Sequence, residues 1–410
     1  MSAPAASFPA ARPSPPAQRV DKAALIGFGV IAASIAIDRA PFAVPMPGLL
    51  QFAESLAATG RTPTPFFHVG YVAFMALALE LGGLHAIFAS QALLYIASVV
   101  LAYSLASAAG AGRSAALVAG FAVALHPYEL LNIKRIVDSN LAVPLLLAIA
   151  YLTVRVWRRS PGAADAIIAG VALGLGIVTR ANYLALWPLI VGVFVAERRF
   201  QDAALAGTLA LIVPLLITLW ATGHARITPR EGEYTLFLGA NPYTARALLD
   251  DYNVEGTASE AFAADALVMN DSDYYRFCDA HAPEFERLAL AYIVQHPVSY
   301  LGLGMLKLLT LFRPDYRRLA DSNTASPIAL IIVQTALALI APLWLATRIY
   351  LRATVRFFGG LWTAPIVCLL LIPMFLVSAD PRYRLPLETL MLCDLSACWL
   401  GIRAAADPTR

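Results

Sequence analysis

Charge is what this sequence has least of. Only 14% of its 410 residues are Asp, Glu, Lys or Arg, against about 25% in an ordinary soluble domain. Lysine is scarcest: Lys22, Lys134 and Lys307 stand beside 27 arginines. Thirty basic against 27 acidic residues leave a formal net charge of +3, too small for the basic footprint of a nucleic-acid binder. The four cysteines (Cys278, Cys368, Cys393, Cys398) form no CxxC pair, which argues against a thiolate metal or redox centre. There is no P-loop, no HExxH, no GxSxG and no GxGxxG after a strand, so a cytosolic nucleotide site has no support. Apolar residues fill the space: 59% of the chain, with a mean hydropathy of +0.68. A soluble globule cannot hide that much apolar surface. The expected fold class is therefore an all-α polytopic membrane protein. A transmembrane β-barrel would need alternating ten-residue segments, and these runs are continuous.

Apolar runs lie at about 23–37, 66–81, 85–109, 114–125, 139–157, 163–179, 181–196, 203–222, 298–312, 326–346, 360–378 and 385–403. A span needs roughly 17–25 residues. Runs 114–125 and 298–312 are short, and the second carries Lys307. Leaving both out gives ten spans with both termini cytoplasmic. Arg155, Arg158 and Arg159 then lie inside, as do Arg198, Arg199, Arg348, Arg352, Arg356, Arg403 and Arg410, which satisfies the positive-inside rule. Arg113, Lys134, Arg135, Arg313, Arg317 and Arg318 stay outside as exceptions. The expected organisation is a disordered cytoplasmic tail (1–22), a transmembrane module (23–222) with a first outer loop (38–65), an extracytoplasmic loop ending in an interfacial helix (223–325), and a last helical module (326–410). Between His224 and Pro297 twelve acids face five arginines, which suits an outer location. There, Lys307 is expected to snorkel to the headgroups.

The candidate functional residues all fall on that outer face. Asp38 ends the first run, with Arg39 next to it. An interfacial stop charge and a carboxylate facing an outer cavity both fit it, and interfacial acids are functional candidates because their burial is costly. In the same loop, Gly48–Thr59 fits a short interfacial helix, followed by His68. Asp138 closes a polar interruption before a long helix. It reads as a helix N-cap, as a partner of Lys134 or Arg135, or as a second acid beside Asp38. Arg180 sits between two apolar runs. Asp380-Pro-Arg382-Tyr383-Arg384-Leu-Pro386 lies between the last two, where two arginines and a tyrosine suit a phosphate. Tyr234–Tyr243 reads as a strand-like run and a Gly, Asn-Pro turn that includes Asn241.

With these residues in place, most of 23–400 resembles the GT-C superfamily of membrane glycosyltransferases. The nearest group comprises the bacterial protein-mannosyltransferases, aminoarabinose transferases and lipopolysaccharide core galacturonosyltransferases. Four features carry the likeness: Asp38 opening the first outer loop, the segment Ser114–Asp138 ending in an acid, the Gly-rich Gly170-Val-Ala-Leu-Gly-Leu-Gly-Ile-Val-Thr-Arg180, and Arg382-Tyr-Arg-Leu-Pro386. The chain departs from the group in having Phe42 where a tyrosine is frequent and Asp138 and Asp380 where glutamate is common. It also has Gly239-Ala240-Asn241 in place of a Gly-Asn pair.

The resemblance implies transfer of a sugar from a polyprenyl-phosphate donor to a glycolipid, glycan or protein acceptor at the outer face of a bacterial inner membrane. It implies inversion, with Asp38 as general base and Asp138 orienting the acceptor. Arg382, Arg384, Arg180 and Tyr383 would hold the donor phosphate. It admits a divalent cation, Mg or Mn, on Asp38 and Asp138, because some relatives use one. Membrane lipids are expected partners and nucleic acid is not. Arg39, His68, Lys307, Asn241 and Asp380 complete the candidate set. A lipid-linked glycan flippase or an O-antigen polymerase or ligase is the alternative reading.

Overall fold

The structure is a computed structural model that describes residues 15–39, 47–64, 69–158, 162–228, 230–250, 271–313, 327–354, 363–377 and 384–406. Among these residues it is all-helical. In chain order the elements are α1 (Pro15–Arg39), α2 (Pro47–Thr59), α3 (Val69–Ala108), α4 (Arg113–Ala124), α5 (Pro127–Asn132), α6 (Ser139–Arg158), α7 (Ala163–Thr179), a 3-10 turn (Ala181–Leu186), α8 (Trp187–Ala196), α9 (Phe200–Thr222), α10 (Glu231–Gly239), α11 (Thr244–Asp250), α12 (Asp271–Ala280), α13 (Ala282–Gln295), α14 (Pro297–Leu311), α15 (Pro327–Thr354), α16 (Thr363–Leu376) and α17 (Arg384–Ala406). Four of them, α1, α3, α6 and α9, contain stretches long and apolar enough to cross a membrane.

The packing is that of a bundle with apolar side chains on both its inside and its outside. In α6, Ala142, Val143, Leu146, Leu147, Ile149 and Ala150 have no exposed surface, so this helix runs through the centre. Meanwhile Ile31 and Ile35 of α1, Ile212 and Leu216 of α9, and Leu343 and Leu345 of α15 face outward. A helix that is apolar all round belongs in a protein core or in lipid. The glycines of α7 explain its close pairing with α9. A Cβ on Gly170 would lie 2.6 Å from the Ala206 carbonyl, and one on Gly174 2.7 Å from Val213 Cβ. Small residues let two helices approach closely where lipid supplies no hydrophobic drive.

Hydrogen bonds identify the two ends of the bundle. Near the start of α1, Asp21 accepts from Arg113 at 2.6 Å and from Tyr103 at 3.1 Å. This end, called the tail end, therefore holds the start of α1, the end of α3 and the start of α4. At the opposite end, called the head end, Tyr71 accepts from the Val137 amide. There too, Gln91 donates to the Arg135 carbonyl and accepts from Asn140.

These ends correct the expected path of the chain. Arg113 was expected apart from the N-terminal segment, but it is bonded to it. α3 is broken at Gly82-Gly83, where Gly83 has a φ of 63°, a value that glycine adopts without strain. Tyr71 and Gln91, on either side of the break, both lie at the head end. The arm 69–81 thus folds back on the head side, and the arm 84–108 runs to the tail end. α4 returns from there. It has twelve residues, about 18 Å of helix.

On the head side a second apolar core joins Leu49, Phe52 and Leu56 of α2 to the first arm of α3. It also takes in Tyr234 and Phe237 of α10, Cys278 of α12 and Phe285 of α13. The amphipathic helix expected over Gly48–Thr59 is present, and its apolar face packs on protein. The strand-like run Tyr234–Leu238 is helical instead; its aromatics meet Phe285 on a curved helical surface.

Candidate functional site

Asp138 and Arg180 form an enclosed ion pair at the head end. Asp138 accepts the first backbone bonds of α6 through its carbonyl, while its carboxylate turns toward α7. Arg180 follows the last residue of α7, and its amide is held by the Gly176 carbonyl. The guanidinium donates from Nε to Asp138 Oδ2 at 2.7 Å, and from Nη2 to Oδ1 at 3.1 Å and to Ser139 Oγ at 2.9 Å. Each side chain is at most 2% exposed. Such a fork-to-fork pair fixes orientation as well as charge, and losing one partner leaves the other buried alone.

A second polar cluster lies between α5 and the first turn of α17. Arg384 is ion-paired through Nε with Glu388, one turn on, and donates from Nη1 to the Arg313 carbonyl at 2.8 Å. The ring of His126, which caps α5, points its Nε2 at Glu388 Oε2 across 3.7 Å, too far for a hydrogen bond. Thr389 donates to Glu129 Oε1 at 3.4 Å. Burial raises the Glu129 carboxyl from its usual range to about 8, so it stays protonated at neutral pH. His126, Arg384 and Glu388 are each at most 3% exposed. Yet His126 Nδ1 and Nε2, Arg384 Nη2 and Glu388 Oε2 have no hydrogen-bond partner. Tyr183 links the two clusters: its hydroxyl donates to the Ala142 carbonyl, within electrostatic reach of Arg180, Asp138 and Glu129.

The remaining candidates have other placements. Asp38 and Arg39 end α1 as an exposed pair at 2.9 Å. Lys307 does not reach outward. It is 1% exposed and donates to the carbonyls of Phe375, Leu376 and Val377 at 3.0–3.3 Å. Its donors complete the C-terminal end of α16, where the last carbonyls lack helical partners. Asn241 is buried in a local turn, donating to the Phe237 carbonyl and accepting from the Tyr243 amide. His68, Asp380, Arg382 and Tyr383 lie outside the described residues.

Sequence reading missed His126, Glu129 and Glu388. A signal existed for Glu388, an acid one helical turn after Arg384 inside an apolar run. His126 and Glu129 flank Pro127 in a polar interruption whose importance was assigned to Asp138 alone. The residues present do not fit a metal cage on Asp38 and Asp138. Both oxygens of Asp138 face Arg180, Asp38 is paired with its neighbour, and no group of three or more His, Cys, Asp or Glu is gathered among the described residues. No protein-family model matches the chain, and no curated protein matches it at a significant level.

Proposed function

We propose that this protein is an integral-membrane glycosyltransferase of the GT-C type, moving a sugar from a polyprenyl-phosphate donor to a glycolipid, glycan or protein acceptor at the outer membrane face. The observation that carries this reading is the gathering of buried ionisable groups at one end of an apolar bundle. His126, Glu129 and Asp138, then Arg180, then Arg384 with Glu388, come from three distant stretches of chain and converge at the head end. Burying them costs several kcal/mol per ion unless compensated, and intramembrane ionisable groups mark functional sites by default.

In this reading the head end faces outward. The arm 69–81 stays on the head side, and α4, about 18 Å long, carries the chain from the tail end back toward the head end. Arg113 then joins Arg155, Arg198 and Arg199 on the cytoplasmic side, which removes one exception to the positive-inside rule.

In the reaction, an acceptor hydroxyl attacks the anomeric carbon and polyprenyl phosphate leaves, inverting that centre. Asp38, whose carboxylate is exposed beside Arg39, takes the hydroxyl proton. Such proton transfer contributes ~10²–10⁴ in rate. Arg382 and Tyr383 meet the phosphate and stabilise the charge that grows on it. Arg180 and Arg384 already carry carboxylates and order the site around them. No step passes through a metal.

The test uses purified protein in liposomes with radiolabelled polyprenyl-phosphate sugars and a glycolipid extract. Label transfer with release of polyprenyl phosphate is expected from the wild type. A folded protein that transfers nothing across a broad panel of sugars, yet moves lipid-linked glycan across the bilayer, would be a flippase.

A further inference from the structure

We propose that the cluster between α5 and α17 is a sugar-ring subsite: His126, Arg384 and Glu388 bind neutral hydroxyls rather than the donor phosphate. This deepens the glycosyltransferase reading and rests on it for the identity of the ligand.

The argument starts from the buried atoms that lack partners. Arg384 Nη2 can only donate. Glu388 Oε2, as a carboxylate oxygen, can only accept. The two ring nitrogens of His126 do one of each in the neutral form. Leaving such atoms unmatched is costly, and more so for charged groups. A native fold keeps them where a ligand or water completes them. The chemistry of the set then selects the ligand. A phosphate oxygen accepts but does not donate, so it cannot satisfy Glu388 Oε2, and the carboxylate repels it. A divalent cation would need ligands that are not gathered here. A hydroxyl both donates and accepts. At 3.7 Å His126 Nε2 and Glu388 Oε2 do not bond each other directly, yet one oxygen beside them can reach both. With Arg384 Nη2 and His126 Nδ1 also unmatched, the cluster asks for more than one hydroxyl, and adjacent hydroxyls are what a sugar ring carries. Binding of a neutral ring leaves the Arg384–Glu388 pair intact, so no buried charge is stranded when the ligand departs.

The experiment uses the full-length protein in lipid nanodiscs. The probes are decyl glucoside, mannoside and galactoside, with decyl phosphate of the same chain length as the control for partitioning. Thermal unfolding midpoints are followed against probe concentration for the wild type, Glu388→Gln and His126→Phe. At least one glycoside is expected to raise the wild-type midpoint by mass action. Each variant should weaken that glycoside by about ten- to hundredfold, the range for a lost hydrogen bond to a charged group. The decyl phosphate response should be equal in all three proteins. His126→Phe leaves the Arg384–Glu388 pair in place, so it still decides the matter if Glu388→Gln fails to fold. Three results overturn the subsite. They are a glycoside response that persists in both variants, a phosphate response lost in their place, and no glycoside response in the wild type, which means a buried water only. The transfer assay separates this from the parent reading. Transfer with unchanged KM in His126→Phe sinks the subsite and keeps the reaction. Glycoside binding at the cluster without transfer keeps the subsite and sinks the reaction.

Discussion

The two ends of the bundle treat buried charge differently. At the tail end, Asp21 is closed by Arg113 and Tyr103. Further along α17, Asp394 is closed by Arg348 and Trp344, and Arg348 also donates to Thr363. In that group Arg348 Nε is the one buried polar atom left over. At the head end, one cluster is closed in the same manner, Asp138 with Arg180 and Ser139, while the cluster beside it leaves four atoms unmatched. Closed pairs hold helices in register. Unmatched atoms are tolerated where something else completes them. The contrast agrees with the proposed reading, in which the tail end holds structure and the head end carries the chemistry.

Substitutions can break that contrast or sharpen it. Asp38→Asn is expected to have the largest effect, a loss of ~10²–10⁴ in transfer rate, with an unchanged unfolding midpoint because the side chain is exposed. Label transfer and a melting curve on the same preparation check both halves, and full activity would remove Asp38 from the mechanism.

Arg180→Ala comes next. It strands Asp138 in a site where both partners are buried, and should cost about 3–5 kcal/mol in stability. Arg180→Met combined with Asp138→Leu should recover most of the loss. A double variant no better than the single one, in denaturant melts, would show that the pair itself is not the cause.

A smaller effect is expected from Glu129→Gln, visible mainly as pH dependence. The folded carboxyl titrates near pH 8, above its unfolded value of about 4.3. The wild type therefore loses stability as pH rises from about 4.5 to 8, because the unfolded chain ionises first. The glutamine variant should lack that decline, and parallel curves for the two proteins would place the proton elsewhere. Smallest of all is Asp21→Asn at the tail end. Arg113 is 54% exposed, and water and salt screen such a pair, so about 1 kcal/mol or less is expected. A loss as large as that for Arg180→Ala would erase the distinction between the ends.

Much of this was legible in the residues. The bundle and the helix over Gly48–Thr59 follow from apolar runs, and Asp138 and Arg180 stood out as charges that are rare in them. The partnership of Asp138 with Arg180 was not legible, since 42 positions separate them and lysine and arginine stood closer in sequence. Glu388 was hidden for the opposite reason. Its run was apolar enough to read as a plain span, and only its encounter with His126, from a different helix, makes it notable.

Composition and periodicity were enough to anticipate helices long and apolar enough to cross a membrane, because those properties are local and add up along the sequence. They could not say that α3 folds back at Gly82-Gly83, that Arg113 meets Asp21, or that Lys307 turns inward to cap α16. Each of these depends on which helix ends come to lie side by side. Hydropathy is the same whichever neighbour a helix chooses, so that choice is made only when the side chains of distant segments pack and their buried polar atoms find partners.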